Sequence, residues 1–186
     1  MVTPLVAMLY GRDEDYAPSV VELEKLFGLL ELESPVYGFD KTEYYRATMG
    51  PALRRRFVTF KKLADPAGLA DWKLATNALE ERFARERAGA SGVARPVNLD
   101  AGYLTGAKLV LASTKDFAHR IYLKAGIFAE ITLAFRNGDW LAHEYTFPDY
   151  RAPEYHGFLK QARDAHLRKT QDSISPRRHG DTETSL

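Results

Sequence analysis

Residues 126–147 read GIFAEITLAFRNGDWLAHEYTF, and the pair Asn137-Gly138 decides how the second half of the chain folds. Two alternating apolar runs flank an Asn-Gly dipeptide, the strongest short-range signal for a two-residue hairpin turn. That turn sets Arg136 opposite Asp139, Thr132 opposite His143 and Glu130 opposite Tyr145. Upstream, HRIYL (119–123) joins the same strand through a three-residue loop, Lys124-Ala125-Gly126, with Tyr122 opposite Phe128 and Arg120 opposite Glu130. Three strands then form an antiparallel meander. Because strand side chains alternate, Ile121, Leu123, Ala129, Ile131, Leu133, Phe135, Trp140 and Ala142 share the face expected to be core. Arg120, Tyr122, Glu130, Thr132, His143 and Tyr145 share the other, with a charge-assisted row Arg120–Glu130–Tyr145 across it.

Ahead of the meander, PLVAMLY (4–10) reads as a buried strand. After Pro18, the residues Val20, Leu23, Phe27 and Leu30 form a helical stripe that LELESP ends. PVYGF (35–39) and RRRFVTFKKL (54–63) are strand candidates, the second with basic residues at both ends. Leu69, Trp72, Thr76, Leu79 and Phe83 repeat at helical spacing, and a further strand is expected near Leu99. The order βαββαβ is that of a ferredoxin-like core. The expected fold is therefore α+β: a single domain with that core, then the meander, then a C-terminal helix from about Glu154 with Tyr155, Phe158, Leu159 and Ala162 inward. Residues 1–168 make the globular domain, and the aperiodic polar stretch 169–186 is expected to be a disordered tail.

Composition narrows the function. The 186 residues suit one domain, with 45% hydrophobic and 27% charged residues. There is no cysteine, which removes disulfides, thiolate catalysis and Cys-ligated zinc. The N-terminal apolar run is too short for a signal peptide or a membrane span, so a cytoplasmic location and no membrane partner are expected. A net charge of +1 gives no global attraction to nucleic acid or anionic lipid, so any such binding needs a local patch.

Most of the motifs that would carry chemistry are incomplete. GYLTGAKL (102–109) has glycines and a lysine, but neither the spacing of a phosphate-binding P-loop nor its Ser or Thr. STKDF (113–117) lacks the Asn of a guanine-reading motif. HEYTF (143–147) has Phe147 where a zinc-binding helix needs its second histidine, and no metal site is assigned. His119 reads as a hydrogen-bonded histidine at the core edge. Ser113 or Thr114 would need an adjacent base to act as a nucleophile; capping a helix or closing a turn is their commoner role. The loop GFDKTEYYRATMGP (38–51) is dense in Tyr and acid, and a turn of helix packing Tyr45 and Met49 is its plainer reading.

LVLASTKDFAHRIYL (109–123) places Ser113, Thr114, Lys115 and Asp116 at one end of the sheet, within reach of Asp100, Tyr103, Lys108 and the loop from Asp40. A cleft there suits a small anionic ligand, such as a nucleotide or a phosphorylated metabolite. In that reading Lys115 and Arg120 hold the anion, Tyr103 positions the ligand, and Asp100, Glu130 or His119 is the candidate base. A second reading is a noncatalytic RNA- or protein-binding module that uses Tyr122, Phe128 and Tyr145 as a stacking face. In a third the C-terminal helix covers the polar face and nothing binds. The residues point to no particular cofactor, and they fix neither an oligomeric state nor whether the protein is an enzyme.

NLDAGYLTGAKLVLASTKDFAHRIYL (98–123), GIFAEITLAF (126–135) and TFPDYR (146–151) together resemble a bacterial and archaeal family catalogued as domain of unknown function 4416. TEYYRATMGPALRRRFVTF (42–60) and KLATNALEERFA (73–84) are similar to it too, and the likeness runs from about Pro4 to Leu167. The resemblance implies a stand-alone cytoplasmic domain and no specific activity. A GTP-binding label carried by some members is kept as an alternative. Ala101 departs from the Asp-Pro-Gly typical of the family, a change expected to loosen a turn.

Overall fold

The computed structural model describes residues 1–40, 44–87 and 92–174. At its centre is β1 (Thr3–Tyr10), eight residues that are all buried. It lies between β4 (Leu53–Phe60) and β5 (Val97–Leu104), antiparallel to both. β1 is covered on both faces, which explains an unbroken apolar run in place of alternation. On one face α1 (Asp13–Phe27) and α3 (Leu69–Arg87) bury Leu23, Phe27 and Phe83 against Val6, Met8, Val58 and Leu99. On the other, α4 (Pro153–Ile174) packs Tyr155, Phe158, Leu159 and Ala162 against Leu5, Phe57, Leu109 and Leu133. Three layers result, and the fold is α+β as expected.

α1 begins five residues before Pro18, with Asp13, Glu14 and Asp15 in its first turn where the helix dipole favours acids. Pro18 has no N–H to give the Glu14 carbonyl, and Arg87 Nη1 supplies that hydrogen bond at 3.1 Å. Gly28, at φ 86°, ends the helix, so Leu30 is not part of the helical stripe. Instead β2 (Leu30–Glu33) and β3 (Tyr37–Phe39) both pair with β4. Two short strands stand where the sequence suggested one. α2 (Arg46–Met49) is the plainer reading of the Tyr-rich loop, with Met49 buried; residues 41–43 lie outside the described chain.

The sheet continues from β5 to β6 (Lys108–Ser113), β8 (Ile127–Arg136) and, along the outer edge of β8, β7 (Ile121–Lys124) and β9 (Asp139–Ala142). Asn137 and Gly138 have φ values of 52° and 81°, and Arg136 faces Asp139 as expected. The β7–β8 turn is also two residues, Ala125 and Gly126 at positive φ, and not the expected three; Tyr122 does face Phe128.

The predicted core face of the meander is wrong along half its length. Leu109 pairs with Leu133 but Val110 pairs with Ile131, so Thr132 is an extra residue in β8. This β-bulge swaps the faces. Leu133 and Phe135 pack beneath α4, whereas Ile121, Leu123 and Ile131 are exposed and Glu130 and Thr132 are buried. β9 also stops at Ala142, because His143–Thr146 closes a turn through Thr146 Oγ1, which accepts the His143 N–H at 2.8 Å. The expected pairs Thr132–His143 and Glu130–Tyr145 therefore do not form.

Two smaller expectations change. α4 runs to Ile174, so residues 169–174 are helical and not tail, while 175–186 lie outside the described residues. Ala101 sits inside β5, buried opposite Val6, and not in a turn. No helix among the described residues is long and apolar enough to cross a membrane.

Candidate ligand-binding site

β5 and β6 are hydrogen-bonded over only three pairs: Gly102–Leu111, Tyr103–Val110 and Leu104–Leu109. Beyond Gly102 they part, β5 remaining with β1 and β6 with β8. The close approach at the apex requires glycine, since a Cβ on Gly102 would lie 2.4 Å from the Val110 carbonyl oxygen. The parting strands expose the backbone of Leu99, and α3 fills the vacancy. Glu80 Oε1 accepts the Leu99 N–H at 2.6 Å, and Lys73 Nζ donates to the Leu99 carbonyl at 3.0 Å. These two residues are seven apart, two helical turns, so one face of α3 presents both.

A cavity of about 570 Å³ occupies this split. α3 contributes Lys73, Asn77 and Glu80 from one side of the sheet, and Phe147 and Tyr150, which precede α4, close the other. Its inner wall is an ionic network. Arg55 on β4 donates from Nη2 to Asp149 at 2.8 Å and brings Nη1 to 3.9 Å from Asp100. Lys73 reaches Asp100 at 3.1 Å, and Asn98 donates to the other Asp100 oxygen at 2.7 Å. Arg95 donates to Glu80 and Asn98. Burial opposes the charged form of Asp100, but Lys73 and Arg55 outweigh it and hold the carboxyl below its usual range. Burial also raises Asp149 and Glu80, which their cationic partners offset only in part.

The mouth is built from β6, β8 and the segment between β6 and β7. Ser113, Thr114, Lys115, Phe117, Arg120 and Glu130 line it. Arg120 Nε donates to Glu130 at 2.7 Å and its Nη1 to Ser113 Oγ at 2.7 Å, and the guanidinium stacks on Phe117. Lys115 differs: its ammonium lies 4.3 Å from the centre of the Tyr44 ring, and no carboxylate pairs with it among the described residues.

Of the residues singled out from sequence, Asp100, Ser113, Thr114, Lys115, Arg120 and Glu130 meet in this cavity. Lys108 lies at the opposite end of β6, in the Thr105 turn, and Tyr103 packs beside Leu69, Val110 and Ile127. Asp116 and Asp40 are exposed and do not line the cavity. His119 also stays outside it, its Nε2 3.1 Å from Glu130 and its ring stacked 4.1 Å from Tyr145. Glu130 takes hydrogen bonds from Arg120 and Thr132 besides its His119 contact, and Asp100 is held ionised, which makes Asp100 a poor proton acceptor. Tyr145 stacks against His119 and His143 on the turn after β9, which leaves Tyr122 and Phe128 as the aromatic pair of the sheet face. No group of three His, Asp or Glu residues that could hold a metal occurs among the described residues.

The family described as a domain of unknown function, DUF4416, matches residues 1–166, which includes every residue of the cavity. The chain belongs to the DUF4416 family. No curated protein and no solved structure matches it. In this DUF4416 chain sequence reasoning missed Arg55, Lys73, Glu80, Arg95, Asp149 and Tyr150. A signal existed for three of them. Strand alternation puts Arg55 on the face of Phe57, and the stripe Leu69, Lys73, Thr76, Glu80, Phe83 has inward helical spacing.

Proposed function

We propose that the protein binds a small anionic ligand, a nucleotide or phosphorylated metabolite, in the cavity between β5 and β6. The observation that carries this reading is Lys115. It is an exposed cation on the cavity wall whose charge no carboxylate matches among the described residues, beside Arg120 and an aromatic surface of Tyr44 and Phe117. A phosphate group at the mouth would meet Lys115 as a point charge and Arg120 as a second donor. The environment of Asp100, held ionised by Lys73 and Arg55, supports holding a ligand more than proton transfer. A cytoplasmic setting suits such a ligand and a chain without cysteine.

Single-stranded RNA is the second reading, and Tyr122 beside Phe128 at 5.4 Å is what favours it. A GTP-specific site has less support, as no glycine-rich phosphate loop lines the cavity among the described residues.

The test is calorimetric titration of nucleotides and phosphorylated metabolites, with short RNAs as the contrast, into wild type and Lys115→Ala. Binding of a phosphorylated small molecule that weakens at least about tenfold in the variant, at unchanged melting temperature, is expected. Binding of RNA alone, insensitive to Lys115→Ala, would reject it.

A further inference from the structure

We infer that the cavity is polarised, and that its ligand is a phosphate monoester of a neutral, hydroxyl-bearing body, such as a sugar phosphate or a nucleoside monophosphate. The body enters first and the phosphate stays at the mouth. This rests on the anion-binding reading above and adds the chemistry of the other end.

Among the described residues the inner end has no spare charge. Its three cations, Arg55, Lys73 and Arg95, are matched one to one by Asp149, Asp100 and Glu80. A second anion placed there would leave buried negative charge without a partner, which the low-polarity surroundings penalise strongly. Glu81, also on the wall, is exposed and pairs with Arg85 one turn along α3.

The inner end does have spare hydrogen bonds. Arg55 is 2% exposed, and its Nε and Nη1 have no hydrogen-bond partner among the described residues. Tyr150, 4% exposed, is on the same wall, and its hydroxyl has none either. Burial, only partly countered by Arg55, raises the Tyr150 phenol well above its ordinary range, so it remains a neutral donor. Buried donors without acceptors are costly, and neutral oxygens satisfy them without adding charge. Asp100, a quarter exposed at 26% of its side chain, supplies the acceptor that a hydroxyl also needs. Spare charge at the mouth and spare hydrogen bonds inside therefore define the two ends of one ligand.

The experiment is calorimetric titration of ribose 5-phosphate, AMP, inorganic phosphate, 3-phosphoglycerate and fructose 1,6-bisphosphate into wild type and Tyr150→Phe. The two neutral-bodied monoesters are expected to bind about tenfold or more tighter than inorganic phosphate and 3-phosphoglycerate. Tyr150→Phe removes only an unpartnered hydroxyl, so the fold should survive. It should weaken the monoesters roughly three- to tenfold and leave inorganic phosphate unchanged. If 3-phosphoglycerate or the bisphosphate binds as tightly as the monoesters, or inorganic phosphate alone accounts for the affinity, the polarity is wrong while anion binding stands. Silence of all five overturns both.

Discussion

Arg55 and Asp149 form an ion pair at 2.8 Å with 2% and 0% of their side chains exposed. The pair ties β4 to the turn before α4, and the Asp149 Oδ1 is held by the Tyr150 N–H at 3.0 Å. Such a pair is costly to break from one side, because the remaining charge stays buried. Asp149→Ala is therefore expected to lower the unfolding free energy by about 3–5 kcal/mol, read by urea denaturation. Replacing both partners by apolar residues, Arg55→Met with Asp149→Leu, should cost less than the single change. A near-neutral Asp149→Ala would mean that water reaches Arg55 in solution.

Gly102 marks the apex where the sheet splits. An added Cβ would sit 2.4 Å from the Val110 oxygen and 2.6 Å from Leu111 Cδ2, both on the neighbouring strand. Gly102→Ala should force β5 and β6 apart and lower stability by about 1–3 kcal/mol, as overpacking does. It should also weaken ligand binding, because Asp100 and Ser113 stand two residues beyond the apex on opposite walls. Unchanged melting together with unchanged binding would show that the apex is looser than this geometry requires.

What was legible in the sequence was local. Asn137-Gly138 fixed a turn because both residues tolerate positive φ, and the inward stripe of α4 followed from helical spacing. What was not legible depended on partners distant in the chain. The bulge at Thr132 is set by pairing with β6, and the preceding alternation gives no hint of it, so a strict period of two put Ile131 inside and Glu130 outside. The candidate site shows the same division. Lys115 and Arg120 lie close together in one polar stretch, whereas Arg55 sits in a basic run, and its alternation with Phe57 marks it as inward only once β4 is seen flanked on both sides.

Glu80 has a role that separates charge from hydrogen bonding. Its Oε1 accepts the Leu99 N–H that the parting of β5 and β6 would otherwise orphan. Glu80→Gln keeps a carbonyl oxygen in reach, while Glu80→Ala leaves a buried donor unpaired, which costs about 1–3 kcal/mol. Amide hydrogen exchange at Leu99 should thus quicken in the alanine variant and change little in the glutamine variant. Equal protection in both would assign the Leu99 amide another acceptor.

His166 on α4 gives the fold a pH dependence of defined sign. It is 5% exposed, and its Nδ1 lies 3.0 Å from Thr3 Oγ1 on β1. Burial first, then Lys169, the N-terminus and Arg163, lower its affinity for a proton, and Glu31 opposes them weakly. The folded pKa thus lies below the 6.5 of an unperturbed imidazole, so on acidification the unfolded chain takes the proton first. The stability this group contributes is complete above that value and is lost as pH falls through the folded pKa. Melting temperatures measured from about pH 7.5 down to pH 5 should decline for wild type more steeply than for His166→Gln, which keeps an acceptor for Thr3 but cannot titrate. Parallel profiles would assign the acid sensitivity to other groups; Asp100, whose carboxyl is held low, would not be among them, since it stays ionised throughout this range.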